Sequence, residues 1–129
     1  CEIQFLTVKS LTASIVNISS NAAFRGYANN SIYAASKAAV NSLTLSAAKE
    51  LGKKNIRINA ISPGTILTPG VENYFKQEPN AEDYLKSSIL LNRIGTPEDI
   101  GNAVSFLLSE DSKYIHGQVI SIDGGSSIY

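Results

Sequence analysis

Cysteine, methionine and tryptophan are almost missing from this sequence of 129 residues, which contains one cysteine, Cys1, and neither of the other two. A single cysteine cannot close a disulfide within the chain, and no cysteine or histidine partners stand at the spacing of a zinc site. The sequence therefore predicts neither a disulfide nor a bound metal.

The sequence also lacks an excess of positive or negative charge. Eleven basic and eleven acidic residues give a formal net charge of +0 and form no block along the chain. A basic patch is what attracts nucleic acid or an anionic membrane surface, so we expect neither as a partner.

Long apolar runs are also lacking. No run approaches the roughly 18 residues that a membrane-spanning helix needs, and the first residues do not follow the order of a signal peptide. We therefore expect a cytoplasmic protein.

Strand-like and helix-like patterns alternate along the chain. β-branched runs that end in small polar residues, proline or glycine predict strands over 14–19, 55–62 and 117–122. Apolar spacing and alanine content predict helices over 1–11, 31–51 and 96–109. The segment 68–95 has no clean period, so we expect one or two short helices there that act as a mobile lid.

Two of the predicted helices have defined ends. The long helix is indicated by the apolar residues Val40, Leu43, Ala47 and Leu51, with Gly52 as its C-terminal cap. The last helix opens with Thr96 as N-cap and Pro97 at its first position, and its inward positions are Ile100, Val104 and Leu107 or Leu108.

Strands separated by helices predict an α/β fold with a parallel sheet, of the Rossmann-like, doubly wound kind. Three strands make a thin sheet, and parallel strands are normally covered on both faces. The chain also begins at Cys1 and has no methionine. We therefore expect residues 1–129 to form the C-terminal half of one such domain, with an N-terminal half elsewhere in the polypeptide.

The segment "YAASK" places Tyr33 four residues before Lys37 on the long helix. Positions i and i+4 share one face of a helix, and an ammonium group held beside a phenol favours the phenolate form. Tyr33 would then be a usable acid or base. Ser20, at the end of the first predicted strand, would hydrogen-bond the oxygen that gains or loses the proton.

This spacing alone has little weight. Six tyrosines and eight lysines in the chain produce about 0.4 such pairs by chance, and an exposed pair on a solvated helix face is the ordinary explanation. The order of the whole chain is more specific, because a Ser-Ser strand end, the Tyr-Lys helix, a Pro-Gly strand end and a final Asp-Gly-Gly strand end follow one another.

Five segments together resemble the short-chain dehydrogenase/reductase family over essentially the whole chain: "IVNISS", "YAASKAAV", "IRINAISPGTILT", "RIGTPEDIGNAVSFLLS" and "GQVISIDGG". The resemblance matches the C-terminal, catalytic half of that family. It implies an NAD(P)-dependent oxidoreductase that interconverts an alcohol and a carbonyl by hydride transfer. In it Ser20 polarises the substrate oxygen, Tyr33 is the general acid/base, and Lys37 assists Tyr33 and binds the nicotinamide ribose.

The resemblance also implies where the cofactor binds. Besides Tyr33 and Lys37, the residues that border the nicotinamide are Pro63, Gly64, Ile66 and Thr68. The glycine-rich turn that holds the pyrophosphate is missing from the sequence, and so is the residue that separates NAD from NADP. The cofactor is therefore NAD or NADP without a choice between them, and the 129 residues alone are expected to be inactive.

Two other functions stay open. A sugar-nucleotide epimerase or dehydratase uses the same tyrosine and lysine, and a truncated, cofactor-free homologue would serve as a binding or oligomerisation partner. For the enzyme we expect a small-molecule alcohol or carbonyl substrate. The small residues around the long helix, together with the resemblance, predict a homodimer or homotetramer.

Several other side chains are secondary candidates. His116 lies before the last strand without an acidic or nucleophilic motif, which predicts a structural role. The aromatic residues Phe24, Tyr27, Tyr74 and Phe75 are expected either to wall a substrate pocket or simply to pack.

Overall fold

The computed structural model describes residues 13–128, in which three strands form one parallel sheet. The strands are β1 (Ala13–Ile18), β2 (Ile56–Pro63) and β3 (Val119–Ile122), and their order in the sheet is β1-β2-β3. All three predicted strands are confirmed. The helix predicted over 1–11 lies outside the described residues.

Helices connect the strands and cover both faces of the sheet. Helix α1 (Ser31–Leu51) joins β1 to β2, whereas α2 (Pro69–Gln77), α3 (Ala81–Ser87) and α4 (Pro97–Leu108) lie between β2 and β3. Asn17 Nδ2 donates to Thr44 Oγ1 of α1 at 2.9 Å, and Ser14 Oγ donates to the carbonyl oxygen of Leu107 of α4 at 2.9 Å. Residues 14 and 17 point to opposite faces of a strand. The predicted doubly wound α/β fold is therefore confirmed.

Helix α1 has the predicted bounds, and its buried face is partly polar. Its buried residues are Asn41, Thr44 and Ala48, whereas Leu43 is 62% exposed. Thr44 is turned toward β1, where its hydroxyl oxygen accepts from the amide of Asn17. The helix therefore packs on the sheet through a hydrogen bond as well as through apolar contacts.

Gly52 ends α1 as predicted, although its backbone is right-handed, with φ −58°. The chain continues through a short 3₁₀ turn, and the left-handed residue is Asn55, with φ 58°. A Cβ at Gly52 would lie 2.9 Å from His116 Nε2. The glycine is therefore needed for the close approach of His116.

His116 joins α1 to β2. Its Nδ1 accepts from the Ile58 backbone N–H at 3.2 Å, and its Nε2 lies 2.8 Å from the Ala48 carbonyl oxygen. Because Nδ1 accepts, the proton of the neutral ring is on Nε2 and is donated to Ala48. These two backbone contacts agree with the structural role predicted for His116.

Helix α4 begins with a capping box. Thr96 Oγ1 accepts from the Asp99 backbone N–H, and Asp99 Oδ2 accepts from the Thr96 N–H at 2.8 Å. The Arg93 guanidinium donates to both oxygens of Asp99, at 2.6 and 2.9 Å. The Arg93 contact, reinforced by the Thr96 N–H, holds the pKa of Asp99 well below its usual range. Of the expected inward positions, Leu107 is fully buried at 1% exposure and Leu108 is not.

The outer part of β1 exposes apolar side chains. Ile15 is 39% exposed and Ile18 is 45% exposed, whereas Ile61 on the central strand is 0% exposed. This difference agrees with the expectation that three strands leave apolar sheet surface uncovered. No helix among residues 13–128 is long and apolar enough to cross a membrane.

Candidate active site

The carboxyl end of β1 carries two serines with different partners. The Ser19 N–H donates to the Ile61 carbonyl oxygen at 2.7 Å, and Ser19 Oγ donates to the Lys37 carbonyl oxygen at 3.0 Å. Ser19 is thus buried and fixes the strand end to α1. Ser20 caps a short 3₁₀ turn, with its Oγ accepting from the Ala22 N–H at 3.2 Å. A hydroxyl that accepts in this way keeps its own proton for another acceptor.

Tyr33 and Lys37 lie on the first turns of α1. Lys37 Nζ donates to the Ile18 carbonyl oxygen at 3.1 Å and lies 5.7 Å from the centroid of the Tyr33 ring. Tyr33 is 46% exposed, so its side chain is accessible. The structure therefore places an anchored ammonium group beside an accessible phenol, at the carboxyl end of the sheet.

Ser20 and Tyr33 line one cavity of about 380 Å³, which we call the Ser20–Tyr33 cavity. The connection between β1 and α1, the residues after β2, helix α3 with the turn that follows it, and the C-terminal turn form its walls. Its lining residues are Ser20, Asn21, Ala22, Arg25, Tyr27, Asn30, Tyr33, Gly64, Thr65, Tyr84, Leu85, Ser88, Ile89 and Ser126. The cavity thus brings two hydroxyl groups to the end of the sheet where open α/β folds bind ligands.

Of the four residues that the resemblance assigns to the nicotinamide, Gly64 lines this cavity. Pro63 directly precedes it and pairs with Ile122, so β2 runs one residue further than the sequence predicted. The pairing with β3 continues because the Gly64 N–H, rather than an N–H of Pro63, donates to the Ile122 carbonyl oxygen, at 3.1 Å.

The other two assigned residues lie apart from the Ser20–Tyr33 cavity. Ile66 pairs with Gly95 as an isolated bridge and lines a second cavity of about 430 Å³. Thr68 is the N-cap of α2 and accepts from the Val71 N–H at 3.4 Å. Thr65, which no sequence pattern marked as a site residue, lines both cavities.

Among the aromatic candidates, Tyr27 lines the Ser20–Tyr33 cavity and Phe24 does not. Tyr74 and Phe75 pack against each other, with ring centroids 6.1 Å apart, and also lie outside the cavity lining. Tyr84 of α3 does line it and was missed. Helix α3 lies in the segment without a clean period, where no local pattern marks a pocket residue.

The turn after β3 is hydrogen-bonded to the connection between β1 and α1, which contains Ser20. The Asp123 carboxylate accepts from the backbone N–H groups of Gly125 and Ser127, at 3.0 and 2.9 Å, and from the hydroxyls of Ser126 and Ser127. Partial burial favours a higher pKa for Asp123, but these hydrogen bonds together lower its pKa below the usual value. Asn21 Nδ2 in turn donates to Ser126 Oγ at 3.3 Å.

Comparison with known proteins identifies relatives over nearly the whole chain. The family model described as enoyl-(acyl carrier protein) reductase matches residues 4–127. A 3-oxoacyl-(acyl-carrier-protein) reductase of Thermotoga maritima is 45% identical over 118 residues, which cover 92% of this chain and 47% of that protein. A 7alpha-hydroxysteroid dehydrogenase of Bacteroides fragilis is 40% identical over 116 residues, covering 90% of this chain and 44% of that protein.

Solved structures show the same similarity. A 4-hydroxyisoleucine dehydrogenase complexed with NADH superposes with a TM-score of 0.87 at 37% identity, covering 92% of this chain and 49% of that one. ElxO with NADP bound superposes with a TM-score of 0.84 at 37% identity, covering 90% and 47%. The chain spans about half the length of the curated relatives that it matches.

Proposed function

The chain belongs to the short-chain dehydrogenase/reductase family, and we propose from this membership that its polypeptide is an NAD(P)-dependent oxidoreductase that interconverts an alcohol and a carbonyl. One observation supports this most strongly. The hydroxyl-bearing residues Ser20 and Tyr33 line a common cavity, and Lys37 Nζ is anchored 5.7 Å from the Tyr33 ring centroid.

Each of the three side chains has a role in this proposal. In the reducing direction, Tyr33 donates its phenolic proton to the substrate oxygen as the carbonyl carbon becomes a carbinol. Ser20 donates a hydrogen bond to the same oxygen and stabilises the negative charge that develops there. Lys37 is a positioning residue toward Tyr33, because its ammonium group is anchored on the Ile18 carbonyl oxygen and lies over the Tyr33 ring.

The chemistry of this sheet edge fits one end of a dinucleotide. Tyr33, Lys37, Pro63 and Gly64 would border the nicotinamide and its ribose, and Ile66 and Thr68 would follow along the connection to α2. A bound nicotinamide supplies or accepts the hydride. Relatives with NADP and with NADH support either form of the cofactor.

We propose that residues 1–129 form the catalytic part of a Rossmann-like domain whose phosphate-binding turn is made by other residues. The sequence contains no glycine-rich turn of the G-x-G-x-x-G kind that would hold a pyrophosphate. The exposed Ile15 and Ile18 on β1 agree with further structure packing there.

The proposed function is tested with the complete polypeptide and reduced NAD or NADP. We expect oxidation of one of the two cofactors that requires an added ketone and yields the matching alcohol. Absence of turnover across a broad panel of ketones and secondary alcohols would contradict the enzyme. If neither cofactor bound as well, the cofactor-free binding-partner alternative would be favoured.

We also propose that the complete protein is a homodimer or homotetramer that pairs through α1. Ile32 and Leu43 are 87% and 62% exposed, and they lie on one face because 11 residues make about three helical turns. Substituting Leu43→Glu should therefore lower the mass measured by light scattering to that of a smaller assembly. A monomeric mass for the active parent protein would contradict this proposal. Other residues of the same polypeptide would then have to cover this face of α1.

A further inference from the structure

Among residues 13–128, Arg25 is the only charged residue that lines the Ser20–Tyr33 cavity. It is partly buried and lies on the connection between β1 and α1, five residues after Ser20. The other lining residues carry hydroxyl, amide or apolar side chains, and no carboxylate is among them. The described walls of the cavity therefore have one net positive charge.

The Arg25 guanidinium is held in place without an acidic partner. One of its N–H groups donates to the Ser126 carbonyl oxygen, and its central carbon lies 5.7 Å from the centroid of the Tyr27 ring. The ion pairs Lys86–Glu82 and Arg93–Asp99 do not include Arg25.

A guanidinium has five N–H donors in a planar fork that matches the oxygens of a carboxylate or a phosphate. The contact with Ser126 uses one of the five. Because the carbonyl of Ser126 and the ring of Tyr27 already fix the side chain, little further ordering is needed when a ligand binds. This is the arrangement of a preorganised anion-binding group.

We infer that Arg25 selects substrates with an anionic oxygen group, a carboxylate or a phosphate, on the same molecule as the reacting carbonyl or alcohol. This inference rests on the proposed function, because it takes the hydroxyls of Ser20 and Tyr33 as the reacting end of the cavity. A volume of about 380 Å³ suits a small molecule that contacts both Arg25 and these hydroxyls.

Arg25 also has a structural contact, and the test must separate the two roles. Loss of its hydrogen bond to Ser126 could shift the connection that carries Ser20, and such a shift would slow every substrate alike. Loss of the positive charge would slow anionic substrates selectively. The ratio between matched anionic and neutral substrates therefore isolates the effect of the charge.

The experiment measures kcat/KM for two matched pairs with the complete polypeptide. Acetoacetate with methyl acetoacetate tests for a carboxylate, and dihydroxyacetone phosphate with dihydroxyacetone tests for a phosphate. In the parent protein we expect the anionic member of one pair to be favoured. In Arg25→Gln that preference should fall about 10- to 100-fold, the size expected for a charge-assisted contact. Lys53→Gln, which removes a charge outside the cavity lining, should preserve it.

Ligand-observed NMR of the same four compounds measures binding without turnover. If none is turned over, but an anionic compound binds to the parent protein and more weakly to Arg25→Gln, Arg25 is shown to bind the anionic group while the proposed function is contradicted for these ketones. If no compound is turned over and none binds, the inference is overturned for both anionic groups. Equal preference for both members of each pair in the parent would overturn the inference. An equal loss for both members in Arg25→Gln would also overturn it and leave Arg25 with only its contact to Ser126.

Discussion

We expect Tyr33→Phe in the complete polypeptide to lower turnover by about 10²-fold or more while folding and nicotinamide binding stay close to those of the parent. The substitution removes only the phenolic hydroxyl. It keeps the ring that lies 5.7 Å from Lys37 Nζ, and Tyr33 is 46% exposed, so no buried hydrogen bond is lost. Steady-state kinetics and equilibrium binding of the cofactor measure the two effects separately.

Tyr74→Phe is the matched control. Tyr74 is 49% exposed, close to the exposure of Tyr33, and lies outside the lining of the Ser20–Tyr33 cavity. Turnover of this control should stay within a few-fold of the parent value. Near-normal turnover in Tyr33→Phe would remove Tyr33 from the proton transfer, whatever the control showed.

The second large effect is expected at Gly64, where β2 meets the turn after β3. A Cβ at this position would lie 2.7 Å from Asp123 Cβ and 2.9 Å from Asp123 Cα, so backbone as well as side chain must move. Overpacking of this kind costs about 1–3 kcal/mol. We therefore expect Gly64→Ala to lower the free energy of unfolding by that amount, as measured by urea denaturation, and to reduce turnover because Gly64 lines the cavity.

Gly101→Ala is a control for which we expect the opposite change in the free energy of unfolding. Gly101 lies inside α4, and a Cβ there would have no neighbouring atom within 4 Å. Alanine in an exposed helix position is favoured over glycine by about 0.5–1 kcal/mol, so this variant should be more stable than the parent. Equal stability of Gly64→Ala and the parent would show that β2 and the turn after β3 are not closely packed at this point.

Local signals were sufficient for most of the fold. The β-branched runs gave the three strands, and Thr96 with Pro97 located the start of α4 to the residue. The contact between α1 and β1 could not be predicted, because it joins the amide of Asn17 to the hydroxyl of Thr44, which are 27 positions apart. Apolar spacing within one helix carries no information about a polar partner on a distant strand.

Local sequence spacing likewise predicts one part of the candidate site and not the other. Tyr33 and Lys37 are one helical turn apart, so sequence spacing could place them together. Arg25 and Ser126 are 101 positions apart, and their contact follows only from the packing of the turn after β3 against the connection that carries Ser20. Tyr84 lies on α3, within the segment that has no clean period. No sequence pattern there indicates which side chains line the cavity.

Transfer of deuterium from the cofactor to the substrate is the direct test of the proposed hydride transfer and of the role of Tyr33 in it. The complete polypeptide is incubated with a ketone and reduced nicotinamide cofactor that carries two deuterium atoms at the reactive carbon of the ring, so that transfer from either face delivers deuterium, and the product is analysed by mass spectrometry. We expect an alcohol with one deuterium on its carbinol carbon, together with loss of this product in Tyr33→Phe. An alcohol without deuterium, or equal labelled product from Tyr33→Phe and the parent, would contradict it.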